Sequence, residues 1–219
     1  LWQSALDWLP PLGHLSESEH NRLRDLVTVF LHERSLEGME GLELTDDMRV
    51  AIGVQACLPI LHLGLDWYDG WRTVLVYPDA FVAEHETVDA AGVVGTESRV
   101  LSGEAWDLGP TVLSWADIAA SRDAGDGNPV MHECAHKIDL RSGDVNGAPP
   151  LPRDLSPSTW ARVWTAAYED LCRRVDRNEI TSIDPYGAED PAEFFAVATE
   201  SFFMQPLVLR AAYGDIYDC

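Results

Sequence analysis

Hydrophobic residues recur with a helical period near both ends of the chain and with a strand-like period in its middle. The sequence Ser-Glu-Ser-Glu at residues 16–19 is a capping box, and the apolar residues after it are three and four positions apart, so a helix is predicted up to Arg34. A second helix is predicted over residues 48–61; because it is apolar on nearly all sides, we expect it to be buried and bent near Pro59. Residues 1–15 are apolar and interrupted by prolines, and we expect them to pack over the domain.

Three short segments rich in strand-forming residues predict a small sheet. They cover residues 73–77, 98–102 and 111–115. A strand beside an active-site helix is a common place for an extended peptide to add its own backbone as one more strand. The sheet could equally do no more than cover the core, and the sequence leaves both interpretations open.

The centre of the chain carries the pattern most informative about function, His-Glu-x-x-His at residues 132–136. On a helix, residues four apart differ by about 40° in azimuth and about 6 Å in rise, so His132 and His136 project from one face and can hold one metal ion. Glu133 points about 100° away from His132, so it cannot join the histidines but can reach a water beside the metal as a general base. The other face of this helix, predicted over residues 128–140, is apolar and should be core. An amphipathic helix with two surface histidines is the alternative.

A third ligand is expected from a downstream helix. Asp190 at the N-cap and Pro191 at the first helical position predict the start of that helix, and Glu193 faces inward among apolar residues. Two histidines, one glutamate and one open position make up a common catalytic zinc site. A glutamate at the third helical position also completes a capping box, which is the structural alternative for Glu193.

Two other carboxylates lie at helical spacing from these residues. Glu200, two turns after Glu193, is either a rival ligand or a partner of a ligating histidine. Asp139 could accept the free ring N–H of a ligating histidine, or it could be a solvated charge. The following residues 141–157 are rich in Gly, Pro, Asp and Ser and predict a loop, either a lid or a plain connection, before a helix over residues 158–174 with a core-facing stripe.

Composition restricts the class of partner. The formal net charge is −22 and Lys137 is the only lysine, so a nucleic-acid backbone would be repelled and is not an expected partner. The four cysteines lack metal-binding spacing, which fits a reduced, cytoplasmic setting. No apolar run is long enough for a membrane span, and no signal segment opens the chain. The 219 residues predict one domain over residues 1–219, and since Leu1 is not a natural start we expect the N-terminus to be truncated.

Taken together, these residues resemble the Mlc titration factor A family of bacterial zinc peptidases. The resemblance runs over nearly the whole chain and is carried by residues 58–59, 63–67, 76–82, 109–115, 132–136 and 184–203. The core of that family is similar to the catalytic domain of anthrax lethal factor, with the same seven-residue step from a tyrosine to the glutamate ligand. Because the family continues beyond the position of Cys219, the resemblance implies a truncated C-terminus as well.

The resemblance implies that His132, His136 and Glu193 bind Zn²⁺, that Glu133 is the catalytic base and that Tyr186 lies over the site. The expected fold class is α+β, a mainly helical zincin-like metallopeptidase domain with a small β-sheet beside the active-site helix. The expected activity is hydrolysis of a peptide or protein substrate, with an aminopeptidase preference as one form of it. Tyr186 would donate its phenol to the oxyanion, and an ordinary half-buried loop tyrosine is the alternative.

Two other functions stay open at this point. The family takes its name from sequestering a transcriptional repressor called Mlc, so the chain could be a regulatory protein that keeps its zinc site. A protein partner should leave an exposed apolar patch, for which the aromatic-rich termini are candidates. A purely structural zinc site is disfavoured, because such sites usually close all four positions with Cys or His.

Overall fold

A computed structural model describes residues 1–9, 12, 15–79, 81–88, 94–101, 103–105, 109–124 and 127–219. In this part of the chain the helices are α1 (Trp2–Leu6), α2 (Glu17–Glu33), α3 (Asp46–Cys57), α4 (Trp115–Ala124), α5 (Pro129–Asp139), α6 (Pro157–Asp176), α7 (Pro191–Met204), α8 (Pro206–Ala212) and α9 (Gly214–Tyr217). The strands are β1 (Ser35–Gly38), β2 (Thr73–Tyr77), β3 (Phe81–Val88), β4 (Val94–Leu101), β5 (Gly103–Ala105) and β6 (Thr111–Ser114). The fold class is α+β, as predicted.

Four strands form one sheet in the order β1-β2-β6-β5. The first three are parallel, and β5 pairs antiparallel with β6 at the edge. Strands β3 and β4 form a separate antiparallel hairpin. The prediction that residues 73–77, 98–102 and 111–115 share one sheet is therefore wrong for the middle segment. Residues 98–101 pair with the neighbouring strand of their own hairpin, and Ser102 lies outside the described residues.

Helix α5 lies at the centre of the fold and packs against α3, α4, α7 and the strands β5 and β6. It begins at Pro129, one residue after the predicted start, because the side chain of Asn128 caps the helix by accepting the N–H of Met131. Its apolar face is buried in the main core through Val130, Met131, Cys134, Ala135 and Ile138. The small sheet therefore lies beside the helix that carries His132 and His136.

The N-terminal helices match the predicted pattern, with one difference. Ser16 and Glu19 form the capping box at the start of α2. Helix α3 is buried as predicted, but it ends at Cys57 and does not continue to residue 61. Pro59 explains the difference, because proline has no N–H to donate to the carbonyl group four residues earlier in the helix. The helix stops before Pro59 instead of bending there.

Among the described elements, the sequence did not predict α1, β1, β3, α4, β5, α8 and α9. Strand β1 has a single buried apolar residue, Leu36, and takes its place by pairing with β2, so its short sequence contains little periodic signal. Helix α4 starts at Trp115, which was predicted to end a strand, and its alanine-rich sequence lacks a strong apolar face. Further upstream, Trp2 and Trp8 pack on the main core, in agreement with the predicted covering role of the first residues.

Helix α7 lies between two hydrophobic clusters. Phe195 and Ala196 belong to the main core, whereas Phe194 and Val197 pack with residues of α6, α8 and α9 in a second cluster. A helix held on both sides has little freedom to rotate, so the direction of its polar residues is fixed.

As for membranes, the described helices include none with the length and apolar character that a span requires.

Candidate metal centre

Three side chains from α5 and α7 converge on one point. His132 Nε2 lies 2.9 Å from Glu193 Oε2 and 3.2 Å from His136 Nε2, and the distance from His136 Nε2 to Glu193 Oε2 is 3.6 Å. A tetrahedral zinc ion with bonds of about 2.0–2.1 Å has its ligand atoms about 3.3 Å from one another. The three atoms are spaced like three corners of such a tetrahedron, so these residues fit a metal ion. Among the described residues, no other group of three is spaced closely enough to do so.

The start of α7 directs Glu193 toward the histidines. The side chain of Asp190 caps the helix by accepting the N–H groups of Ala192 and Glu193. The carboxylate of Glu193 does not complete a capping box and contacts the imidazoles instead. The predicted N-cap is thus confirmed. The alternative, in which the Glu193 side chain completes a capping box, is not observed.

The electrostatics of this group follow from its burial and its hydrogen bonds. Burial by itself would raise the pKa of Glu193, but the hydrogen bonds from His132 and His136 lower it to about 2. Burial would lower the pKa of His132, yet its hydrogen bonds to Glu193 and Glu200 raise it well above the ordinary value. The two carboxylates therefore favour the protonated imidazole, and a metal ion bound at Nε2 would compete with a proton there.

Glu200 is a partner of the site, which was one of its two predicted roles. Its Oε1 accepts a hydrogen bond from His132 Nδ1 at 2.7 Å, and its Oε2 accepts the N–H of Asn128 at 2.5 Å. The first bond places a proton on Nδ1 and leaves Nε2 of His132 to face the other two candidate ligands. The second bond joins α7 to the residue that caps α5.

Asn128 is a residue that sequence analysis did not assign to the site. Its side chain caps α5, its N–H binds Glu200, and its Nδ2 lies 3.6 Å from Met204 Sδ. The available signal in the sequence is Asn128 followed by Pro129, an N-cap residue and a proline at the first helical position. Nothing in that pair indicates the contact to a glutamate 72 residues later.

Glu133 lies on the buried side of the site and outside the ligand group. Only 4% of its surface is exposed, and Oε2 has no hydrogen-bond partner. Burial raises the pKa of this carboxyl, and the charges of His132 and His136 oppose that rise. A buried carboxylate with a raised pKa and an uncommitted oxygen is suited to accepting a proton.

Tyr186 lies on a short 3-10 turn, Pro185–Ala188, directly before α7. Asp184 caps this turn by accepting the N–H of Tyr186 at 2.9 Å. The ring of Tyr186 is 6.0 Å from the ring of His132, centroid to centroid, and the residue is 41% exposed. The side chain is thus close to the candidate metal ligands and open to solvent on its other side.

Asp139 is fully buried, so its interpretation as a solvated charge is wrong. Its Oδ2 accepts the backbone N–H groups of Asn146 at 2.7 Å and Gly147 at 2.6 Å. The other predicted partner, a ring N–H of a histidine, is not bonded to it, and Oδ1 has no hydrogen-bond partner. Burial raises the pKa of Asp139, while the N–H groups of Gly147 and Asn146 and the nearby His136 lower it.

Comparison with known proteins places this site in a family context. Residues 1–219 match the glucose-regulated metallo-peptidase M90 family over their full length. The chain is 40% identical over 222 residues to Mlc titration factor A of Pectobacterium atrosepticum, covering 100% of this chain and 83% of that relative. It is 42% identical over 220 residues to the Klebsiella pneumoniae protein of the same name, covering 99% of this chain and 82% of that relative. The chain therefore belongs to the glucose-regulated metallo-peptidase M90 family.

Proposed function

We propose that residues 1–219 form one zincin-type domain that hydrolyses peptide bonds with one Zn²⁺ held by His132, His136 and Glu193. The observation that carries the proposal is the spacing of the three ligand atoms, 2.9 to 3.6 Å, in a member of a metallo-peptidase family. Two imidazoles and one carboxylate suit zinc, whereas calcium and magnesium prefer oxygen ligands alone. Three protein ligands leave one position for water or substrate, as in catalytic zinc sites.

The residues around the ligands have distinct roles in this proposal. Zn²⁺ held by His132, His136 and Glu193 would lower the pKa of a water molecule to about 7 and would polarise the scissile carbonyl. Glu133 accepts the proton of that water and passes it to the leaving amine. The phenol of Tyr186 donates a hydrogen bond to the oxyanion that develops on the carbonyl. Glu200 keeps the ring of His132 in one orientation and one tautomer.

The sheet supports binding of an extended substrate. Strand β5 lies next to α5 and pairs with β6 on one side only within the described sheet. Its outer edge offers backbone groups to which a peptide can add as one more strand. A peptide bound there would run along the helix that carries His132 and His136.

The test combines metal analysis with peptide cleavage. Protein purified without added metal or chelator should contain one zinc per chain and cleave members of a peptide library, as followed by mass spectrometry. Peptides with free and with acetylated N-termini distinguish an aminopeptidase from an endopeptidase. His136→Ala should lose both zinc and cleavage, whereas His62→Ala should keep both because His62 is an exposed residue that pairs with Glu19 on α2. Absence of zinc, together with failure to bind added Zn²⁺ tightly, contradicts the proposal.

A second function, capture of a repressor, is favoured by the name of the relatives, Mlc titration factor A. Phe202, Leu207 and Val208 on α7 and α8 are exposed, Leu207 to 79%, and offer an apolar surface for a protein partner. Titration of the chain with purified Mlc repressor, followed by calorimetry, tests this function. Leu207→Asp should weaken binding without altering zinc content. If Mlc does not bind the wild-type chain, this second function is wrong.

We also propose a cytoplasmic location. All four cysteines are free, and Cys57 and Cys134 are buried side by side with no disulfide. Burial raises the pKa of Cys134 to about 12, so this thiol stays protonated and behaves as a small apolar residue. Fractionation of cells producing the full-length protein would test the location.

A further inference from the structure

We infer that Asp139 is a positioning residue that connects the second histidine ligand to the helix carrying the third ligand. One oxygen of its carboxylate holds the turn against which the first residue of α7 packs, and the other is placed to accept the Nδ1 proton of His136 when a metal occupies Nε2. The inference rests on the proposed metal site.

The first half of the argument is the contact between Asp139 and the following loop. Asp139 ends α5 and is fully buried, and its Oδ2 accepts the N–H groups of Asn146 and Gly147. A carboxylate that accepts two backbone N–H groups in the interior fixes the conformation of that turn. Residues 146 and 147 are therefore attached to the end of the helix that carries His132 and His136.

The turn at residues 146 and 147 supports the start of α7. Gly147 has φ +77°, and a Cβ added to it would lie 2.4 Å from the carbonyl oxygen of Pro191. Its own carbonyl accepts the indole N–H of Trp160 at 3.1 Å. Pro191 is the first residue of α7, two positions before Glu193. Gly147, which Asp139 holds, therefore packs closely against the first turn of the helix that carries Glu193.

The second half of the argument concerns two buried atoms that lack partners. Oδ1 of Asp139 and Nδ1 of His136 are both buried and without hydrogen-bond partners. The two residues are three apart on one helix, so their side chains are neighbours. A histidine that binds metal through Nε2 carries its proton on Nδ1 and usually donates it to a carboxylate or carbonyl. His132 already has such an acceptor in Glu200, and Asp139 is the matching acceptor for His136.

Asp139→Asn separates this role from a purely structural one. The amide oxygen can still accept the N–H groups of Asn146 and Gly147, so the turn is kept. The amide NH₂ then faces His136 and favours the tautomer in which Nδ1 accepts and Nε2 carries the proton, which opposes metal binding. We expect Zn²⁺ affinity to fall by about 10- to 100-fold. The melting temperature of the metal-free chain should change little, because the bonds to the turn remain.

The measurement is competition for Zn²⁺ against a chromophoric chelator. Asp144→Asn is the matched control, because it removes the same charge from an exposed position of the same loop, and it should bind Zn²⁺ like the wild type. Equal affinity of wild type and Asp139→Asn overturns the inference. If the wild type itself fails to bind Zn²⁺, the proposed function fails, which is a different result.

Two further readouts keep the inference testable if Asp139→Asn does not fold. Nitrogen-15 NMR of the zinc-loaded wild type should show a slowly exchanging Nδ1 proton on His136, and its absence overturns the role of Oδ1. Gly147→Ala keeps both carboxylate oxygens but forces a Cβ against Pro191, so it should weaken Zn²⁺ binding while that proton signal persists. Unchanged Zn²⁺ affinity in Gly147→Ala overturns the connection through the turn.

Discussion

Glu200 and His132 are joined by a hydrogen bond of 2.7 Å between Oε1 and Nδ1, and the other nitrogen of the same ring contacts Glu193 at 2.9 Å. Both glutamates lie on α7, two helical turns apart. One helix thus contacts both nitrogens of a histidine on another helix. This arrangement fixes the ring and assigns different roles to two carboxylates of similar sequence context.

Glu200→Gln should weaken zinc binding by about 10- to 100-fold. Glutamine has one acceptor oxygen, whereas Glu200 uses one oxygen for His132 and the other for the N–H of Asn128. If the amide oxygen stays with Asn128, the NH₂ group faces His132 Nδ1 and favours the wrong tautomer. Competition against a chelator measures the affinity, with the exposed Glu169→Gln as control. Wild-type affinity in Glu200→Gln would show that His132 needs no such partner.

Metal removal should lower the thermal stability of the protein. An ion that binds only the folded chain stabilises it by about 2.7 kcal/mol when present at a hundredfold excess over Kd. Melting curves with and without dipicolinate should therefore differ for the wild type, and the difference should disappear in Glu193→Ala. In the metal-free wild type, the ion pair of His132 and Glu193 remains and keeps the two helices together. A chelator effect of the same size in Glu193→Ala would place the stabilising ion elsewhere.

Tyr68→Phe should destabilise the fold without affecting the metal. The Tyr68 hydroxyl is buried and donates to the carbonyl of Ala56 at 2.8 Å, near the end of α3 where carbonyls lack helical partners. Losing this bond leaves a buried acceptor unsatisfied, at a cost of about 1–3 kcal/mol. Chemical denaturation should record that loss, and zinc affinity should match the wild type. A large change in zinc affinity would mean that this contact also positions α5.

Much of the fold could be predicted because its signals are local. The capping box at Ser16, the cap at Asp190 and the apolar face of α5 each lie within a few residues of the structure they specify. Strand partners are different, since the pairing of β1 with β2 joins segments almost 40 residues apart. Leu36 alone carries too little pattern to reveal that pairing. Residues 98–101, which the sequence analysis assigned to the main sheet, lie in the hairpin of β3 and β4 instead.

The residues of the candidate site also fall into two groups, those that a local pattern predicts and those whose contacts depend on distant segments. His132, Glu133 and His136 follow from one helical repeat, and Glu193 from a cap and a resemblance. The contacts of Asn128 and Asp139 depend on how α7 and the loop before α6 return to α5, which no local pattern encodes. Burial of Asp139 is the clearest case, because a charged residue at a helix end is usually exposed.

Tyr186→Phe should lower kcat by roughly 10- to 10³-fold with little change in KM, if the phenol stabilises the oxyanion mainly in the transition state. Zinc content and melting temperature should stay near the wild-type values, because the variant loses a single oxygen from a residue that is 41% exposed. Tyr213→Phe is the control; its hydroxyl contacts Asp170 at 3.4 Å on α6. Full kcat in zinc-loaded Tyr186→Phe would remove this residue from the proposed mechanism.

Glu133→Gln separates an enzyme from a binding protein. Glu133 is not one of the three grouped ligands, so the variant should keep its zinc. Glutamine cannot accept and return a proton, so peptide hydrolysis should fall by about 10²-fold or more. The buried position holds a neutral amide more readily than a charged carboxylate, so the melting temperature should not fall.

Measurements of zinc content, peptide cleavage and Mlc binding on the same Glu133→Gln variant distinguish a peptidase from a repressor-binding protein. If the chain is a peptidase, zinc content stays at one per chain while cleavage of the best library peptide is lost, and Glu169→Gln keeps both. If the chain acts by capturing a repressor, binding of Mlc survives in Glu133→Gln, because a buried residue beside the metal cannot contact a partner on the surface. Unchanged turnover in the zinc-loaded variant would eliminate Glu133 as the base, and the proton would then have to pass through another group.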